Sequence, residues 1–381
     1  MVRKIIVIFF IISISLTSGC WDQVNINNTG VCSGLAADLT DDGKISVVIQ
    51  LNKPINQQME KVESSFVVYS ESADTVTEAA RKIMLSLPRV PLWQHADTFV
   101  IGEKLAKSDL SILLDFMFRS PNIRLSSYVL VAHNASLGEL YNASCPLSLC
   151  SARGILKILD NQEKTLGCYI PVTANEFIVK FTTPGVDPFA PMVAVTKDVK
   201  KQDILTLDGT AVFHGKKMVG ILDPVESRGL YWLTSKKNGA TIVVALPDKP
   251  EVKVTLETMS LKSRIRPRVE GDKITMDISV EADFDIKEIT GCTDQLDPEF
   301  RLKVQKAADE EIKSHIKASI AKGQEVNSDF LGFGRNVFRY EPKHWQKINK
   351  DWANIYPQVE TNIEVKTLVV LGDLVDKSIL P

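Results

Sequence analysis

Six cysteines and five histidines carry the widest chemical range in this 381-residue chain, and most of them are poorly placed to act together. His95, His133, His214, His315 and His344 stand singly, with no His-Glu-x-x-His pair to offer zinc two imidazoles and a general base. No Gly-x-Ser-x-Gly elbow presents a serine nucleophile, and no glycine-rich loop ending in Lys-Ser/Thr cradles a phosphate. Gly332-Phe333-Gly334 is too short for such a cradle and reads as a tight turn. Cys145 and Cys150 are close enough in sequence for a zinc site, a disulfide or two free thiols. With no histidine or acidic cluster beside them, buried free thiols are the default. Asp38, Asp41 and Asp42 lack the regular spacing and closing glutamate of a calcium loop and read as part of a hairpin turn. These residues predict no catalytic group, no metal and no cofactor.

Cys20 is different, because its neighbours give the thiol a specific chemistry. A basic start, Arg3-Lys4, precedes an apolar run from Ile5 to Leu16. Twelve helical residues span only ~18 Å, short of a hydrocarbon core of ~30 Å, so the run predicts a secretory signal rather than a membrane span. It ends in Leu16-Thr17-Ser18-Gly19-Cys20, which resembles a bacterial lipobox. Small residues there let a signal peptidase close on the backbone between Gly19 and Cys20, after the thiol has taken up a diacylglyceryl group. The predicted mature chain is exported and held on the outer face of a membrane by that lipid. Losing Arg3 and Lys4 lowers the basic count from 45 to 43 against 47 acids, a net charge of −4. The signs are interspersed and no basic stripe carries interleaved aromatics, which argues against nucleic acid as a partner.

Roughly 360 mature residues exceed what one hydrophobic core usually serves. The expected division is a signal peptide at 1–19, an N-terminal α+β region at 20–200 forming one domain or two, and a C-terminal domain at 205–376. Residues 31–51 predict a strand pair around Asp41–Lys44, followed by a strand at 66–69. Val76, Ala79, Ala80, Ile83 and Leu87 recur at helical spacing, as do Leu110, Leu113, Leu114 and Met117 ahead of Pro121. A strand at 127–132 and a short amphipathic piece at 136–141 come next. Residues 143–185 show no clear period, and Pro184–Pro191 reads as a loop or domain junction. Beyond 205, a hairpin around 214–217 and a helix opening at Pro224 precede strands at 241–246 and 252–261. Ile274, Met276, Ile278, Val280, Ala282 and Phe284 alternate strictly, as in a half-buried antiparallel strand. Phe300, Val304, Ala308, Ile312, Ile316 and Ile320 then fall every four residues in a long helix ended by Gly323, its stripe expected to pack on its own sheet. A helix with Trp345, Ile348 and Trp352 and a strand at 359–371 complete an α+β, multi-domain chain with mainly antiparallel sheets and packed helices.

Four groups of residues, in order along the chain, together resemble one family, the C-subunit lipoproteins of spore germinant receptors (GerAC/GerBC-like). They are Gly19-Cys20-Trp21-Asp22 with Ile26-Asn27; His95–Glu103 continuing through Leu105–Lys107 to Leu113–Phe116, Arg119 and Arg124; Gly209–Phe213 with Lys217–Leu222, Glu226–Gly229 and Trp232-Leu233; and Asp329-Phe330, Gly332–Gly334, Pro342, Trp345 and Trp352 ahead of the last strand. The resemblance implies a three-domain lipoprotein on the outer face of the inner spore membrane. It also implies assembly with two integral-membrane partners, the A and B subunits, into a complex that responds to nutrients, with no enzymatic role for this subunit. Trp21 and Asp22, beside the lipid, are expected to anchor at the interface or dock a partner, and Arg119, Glu226 and Trp345 are the further candidate partner contacts, with buried structural roles as the favoured alternative for these three. The competing reading is an extracytoplasmic solute-binding lipoprotein feeding a transporter. That class builds two lobes on parallel sheet, and the hairpins and alternation from 205 to 285 argue against it.

Overall fold

The computed structural model describes residues 26–53, 65–120, 123–291 and 298–370, together with Arg3, Ile5 and Ile6. Cys20, Trp21, Asp22 and Cys292 lie outside the described residues. In chain order the strands are β1 (Thr29–Leu39), β2 (Ile45–Asn52), β3 (Phe66–Ala73), β4 (Val90–Leu92), β5 (Thr98–Ile101), β6 (Tyr128–Ala132), β7 (Phe189–Lys197), β8 (Asp203–His214), β9 (Lys217–Leu222), β10 (Thr241–Ala245), β11 (Lys253–Glu270), β12 (Lys273–Thr290) and β13 (Glu360–Val370). The helices are α1 (Val76–Lys82), α2 (Glu103–Lys107), α3 (Ser111–Arg119), α4 (Leu137–Asn142), α5 (Ser151–Thr165), α6 (Ala174–Thr182), α7 (Pro224–Thr234), α8 (Pro298–Glu325), α9 (Phe333–Tyr340), α10 (Pro342–Ile348) and α11 (Trp352–Ile355). No helix among the described residues is long and apolar enough to cross a membrane.

Strands β1 to β9 form one sheet in the order β3-β2-β1-β5-β6-β7-β8-β9, with β4 added beside β1. Its flanks are antiparallel and its centre parallel: β1, β5, β6 and β7 run side by side in one direction. The central strands are apolar without a break, as in Thr98-Phe-Val-Ile101 and Tyr128-Val-Leu-Val-Ala132, because both faces are covered. Leu35, Phe99, Ile101, Val129 and Val131 pack with residues of α1, α2, α3 and α6 on one side. Ala36, Val100, Leu130 and Ala132 pack with Leu137, Leu140, Ile155 and Leu159 of α4 and α5 on the other. Gln50 ties the second layer down: its Nε2 donates to Tyr141 O (2.6 Å) and Ser151 Oγ (2.9 Å), and its Oε1 accepts from Ala152 N (3.0 Å).

Two helices, α5 and α6, occupy the stretch in which the sequence shows no clear period. Thr173 and Glu176 form a reciprocal capping box at the start of α6, a local start signal that periodicity does not register. The expected boundary near 200–205 does not separate sheets. β7 pairs with β8 from Phe189↔Val212 to Lys197↔Asp203, so the first sheet continues to Leu222. The junction-like Pro184–Pro191 is loop only as far as Pro188, and Pro191 enters β7 beside a register shift, a place where a strand tolerates the missing N–H.

The second sheet, β10-β11-β12-β13, packs against α8. The expected stripe on α8 is fully buried at Val304, Ala308, Ile312 and Ile316 and faces Ile274, Met276, Ile278, Val280 and Phe284 of β12 within one core. Each such isoleucine contributes roughly 1.5–3 kcal/mol by leaving water. Gly323 does not end α8, which runs on to Glu325. A Cβ at Gly323 would lie 2.6 Å from the Tyr356 hydroxyl, so the glycine serves close approach rather than termination. The single helix expected through Trp345 and Trp352 is broken into α10, a 3-10 turn at Asn349–Asp351 and α11.

Helix α7 joins the sheets by lying against α8. Trp232 is buried there, its Nε1 donating to His315 Nδ1 (3.2 Å), which leaves His315 Nε2 to face Glu311 (3.2 Å) as the protonated nitrogen. The crossing is close because Gly229 has no side chain: a Cβ there would stand 2.1 Å from His315 O and 2.5 Å from Ser319 Cβ. Gly229→Ala therefore has to push the helices apart, and should lower the unfolding free energy by ~1–3 kcal/mol in urea titration. A loss below ~0.5 kcal/mol would show that the crossing is not fixed at this residue.

Candidate functional site

Two concave regions of about 500 Å³ or more lie among the described residues. The first is a groove of about 930 Å³ on the first sheet, walled by α1 and α3. Val76 and Ala80 from α1, Ile112 and Phe116 from α3, with Met84, Trp93 and Ile123, give it an apolar floor and sides. Thr75, Arg81, Asp115 and Arg119 are among its polar members. The walls are held from below. Thr75 Oγ1 accepts from Glu78 N (3.2 Å) at the start of α1, and Leu113, Leu114 and Met117 turn the other face of α3 into the core. Arg119 is 80% exposed and pairs with Asp115 at 2.7 Å, one turn back on the same helix. A solvated pair of this kind holds its members only weakly.

The second region, of about 510 Å³, lies where loop 183–188 meets the 327–335 segment and the last helices. Its centre is Asp329, a fully buried carboxylate. Phe333 N donates to Oδ1 (2.7 Å), while Gly334 N (2.8 Å) and Trp352 Nε1 (3.0 Å) donate to Oδ2. Burial pushes its carboxyl up to about 8; the three donors work against that push, and neighbouring Asp187 adds to it. Asp187 binds the same segment from the other side, with Asp329 N donating to its Oδ2 (2.9 Å) and its own N donating to Asp329 O (2.9 Å). His214 Nδ1 lies 3.2 Å from the same Oδ2, and that contact raises the imidazole above its ordinary value. Gly185 O accepts from Arg335 N (2.7 Å), and a Cβ at Gly185 would come within 2.5 Å of Gly334 C. Two backbones thus meet with nothing between them. Trp345 packs edge-on to Trp352, ring centres 5.4 Å apart, and both indoles are buried.

Among the described residues, the expected contacts Arg119, Glu226 and Trp345 are not brought together. Arg119 stands at the rim of the groove, and Trp345 is part of the Asp329 junction. Glu226 belongs to neither; it closes a capping box at the start of α7, with Asp223 N donating to its Oε2 (2.9 Å) and its own N donating to Asp223 Oδ1 (2.8 Å). Asp97 is likewise structural, bridging Arg124 (3.6 Å) and Arg153 (3.2 Å) below the sheet. Cys32, Cys145, Cys150 and Cys168 are free thiols, Cys145 only half-buried, and burial pushes Cys32 up to about 12, far from a reactive thiolate. No group of three or more metal-ligating side chains occurs among the described residues. Asp187 and Gly185 fell within the junction-like loop in sequence, and their partners more than 140 residues downstream are set only by the fold.

Two family models match in succession. Residues 22–195 match the spore germination protein N-terminal domain, and residues 208–370 match the "Spore germination B3/ GerAC like, C-terminal" domain. Spore germination protein KC of Bacillus subtilis (strain 168) is 25% identical over 391 residues, covering 97% of this chain and 96% of its own. Spore germination protein B3 of the same organism is 20% identical, with 92% and 93% covered. The crystal structure of the GerBC protein superposes with a TM-score of 0.57 at 17% identity over 88% of this chain and 97% of that one, a likeness of fold.

The Asp329 junction yields a test with a definite sign. The folded pKa lies above the ~3.9 of an unfolded aspartate, so ionisation there subtracts stability as pH rises from about 4 through 8. Asp329→Asn cannot accept from all three donors and should be ~1–3 kcal/mol less stable than wild type at pH 5. That gap should narrow by pH 9. A gap independent of pH would show that the carboxyl does not titrate in this window.

Proposed function

The chain belongs to the GerAC-like family of spore germination proteins, and on that premise we propose that it is a lipid-anchored, non-catalytic subunit of a nutrient germinant receptor. In this reading Cys20 carries a diacylglyceryl group after cleavage behind Gly19, and the body sits on the outer face of the inner spore membrane. Its partners are two integral-membrane subunits, A and B. Trp21 and Asp22 lie next to the lipid, where an indole suits the interface between headgroups and water. Arg119 offers an accessible charge, whereas Trp345 and Glu226 act by shaping the body that is presented. The segments 20–200 and 205–376 serve as two sequence units carried on one shared sheet.

The observation that carries this reading is the order and extent of the family match, which runs through both sheets. A non-catalytic role is supported by the perturbed acid. Asp329 sits in the kind of environment that tunes catalytic carboxyls, yet both its oxygens are committed to N–H groups that hold the fold. The solute-binding alternative gains no support from a first sheet that runs unbroken past residue 205.

Cys20→Ala is the direct test. The variant should leave the membrane fraction of spores and slow germination on the nutrient this receptor serves, while the purified body unfolds at the wild-type temperature. Full membrane retention with normal germination would overturn the anchor.

A further inference from the structure

We propose that the groove between α1 and α3 is the docking site for an amphipathic segment of a membrane-embedded partner, one with apolar residues at helical spacing flanked by a carboxylate. The proposal rests on the anchored-subunit reading and adds to it the surface and the chemistry of its occupant.

Position comes first. Val90, on the groove wall, pairs directly with Thr29, the first residue of β1. Eight residues lie between Cys20 and Thr29, a reach of at most ~32 Å even when fully extended. An anchor at Cys20 therefore holds the groove in the layer of solvent next to the bilayer, where segments of membrane proteins are the neighbours at high local concentration.

Shape and apolarity agree. Ile112 is 51% exposed and Val90 50%, and Leu85 follows the lining residue Met84 at 87% exposure. An open trough between two helix walls with apolar rims suits the side of a helix, whose apolar residues at i, i+3/i+4 and i+7 enter together. A small molecule would leave those rims in water.

Charge completes the description. Arg81 is exposed and makes no ion pair among the described residues, and Arg119 has only its solvated helix neighbour Asp115. Both guanidinium groups can turn to an incoming carboxylate in a fork geometry at little cost.

The test uses the full chain in spores, with Ile112 replaced by the photo-crosslinking residue benzoylphenylalanine and, as control, Val243, which is 53% exposed on the second sheet. Illumination should join position 112 to a peptide of a multi-span membrane protein, and mass spectrometry should find apolar residues at helical spacing with an acid beside them. The charge-reversed pair Arg81→Glu and Arg119→Glu should cut that product about tenfold without altering the thermal unfolding of the purified body. A membrane-bound chain that cross-links only to lipid, to a second copy of itself or no more than position 243 does would overturn the docking site and leave the anchor standing. A chain recovered in the soluble fraction would overturn both.

Discussion

A carboxyl group shut away from water is costly to build into a protein, and Asp329 is held in place by its three donors. Phe333 N, Gly334 N and Trp352 Nε1 come from two separate stretches, and Asp187, bound to the Asp329 backbone, belongs to a third. Satisfying this one group fixes where α9 begins, where α11 lies and how loop 183–188 approaches. The Gly185–Gly334 contact is the steric side of the same constraint, since a methyl group on either would hold the backbones too far apart for the hydrogen bonds to close. The arrangement of the C-terminal helices beside the first sheet follows from this constraint.

The sequence was most legible where one face of an element is wet. The alternation from Ile274 to Phe284 and the four-residue stripe on α8 mark β12 and α8 because their far sides carry polar residues. It was least legible through α5 and α6, whose buried apolar positions are few: Ala152, Ile155 and Leu159 on α5, and Ala174, Phe177 and Ile178 on α6; the Thr173–Glu176 cap was the available local sign. Gly323 reads as a helix end in sequence and is, like Gly229, a point of close approach in space, a distinction that depends on partners far along the chain.

The candidate site was legible in a similarly uneven way. Arg119 was picked out through the family resemblance, and the structure puts it on the rim of the groove between α1 and α3. Glu226 and Trp345 stood out for reasons of fold: a helix cap and an aromatic pair both impose strong local residue preferences. Asp187 gave no signal of its own, because its role is defined by a backbone N–H on a segment it meets only after folding.

The shared sheet has an evolutionary consequence. β7 ends the part of the chain matched by one family model and β8 opens the part matched by the other, yet the two strands pair through eight registered positions with a single shift. A fragment stopping at residue 200 would expose β7 as a bare edge, an invitation to self-association. A hybrid taking its halves from two relatives would have to match side chains along that seam as closely as a dimer matches its partner. The halves can be told apart as sequences, but any exchange of one half between divergent relatives has to preserve that pairing.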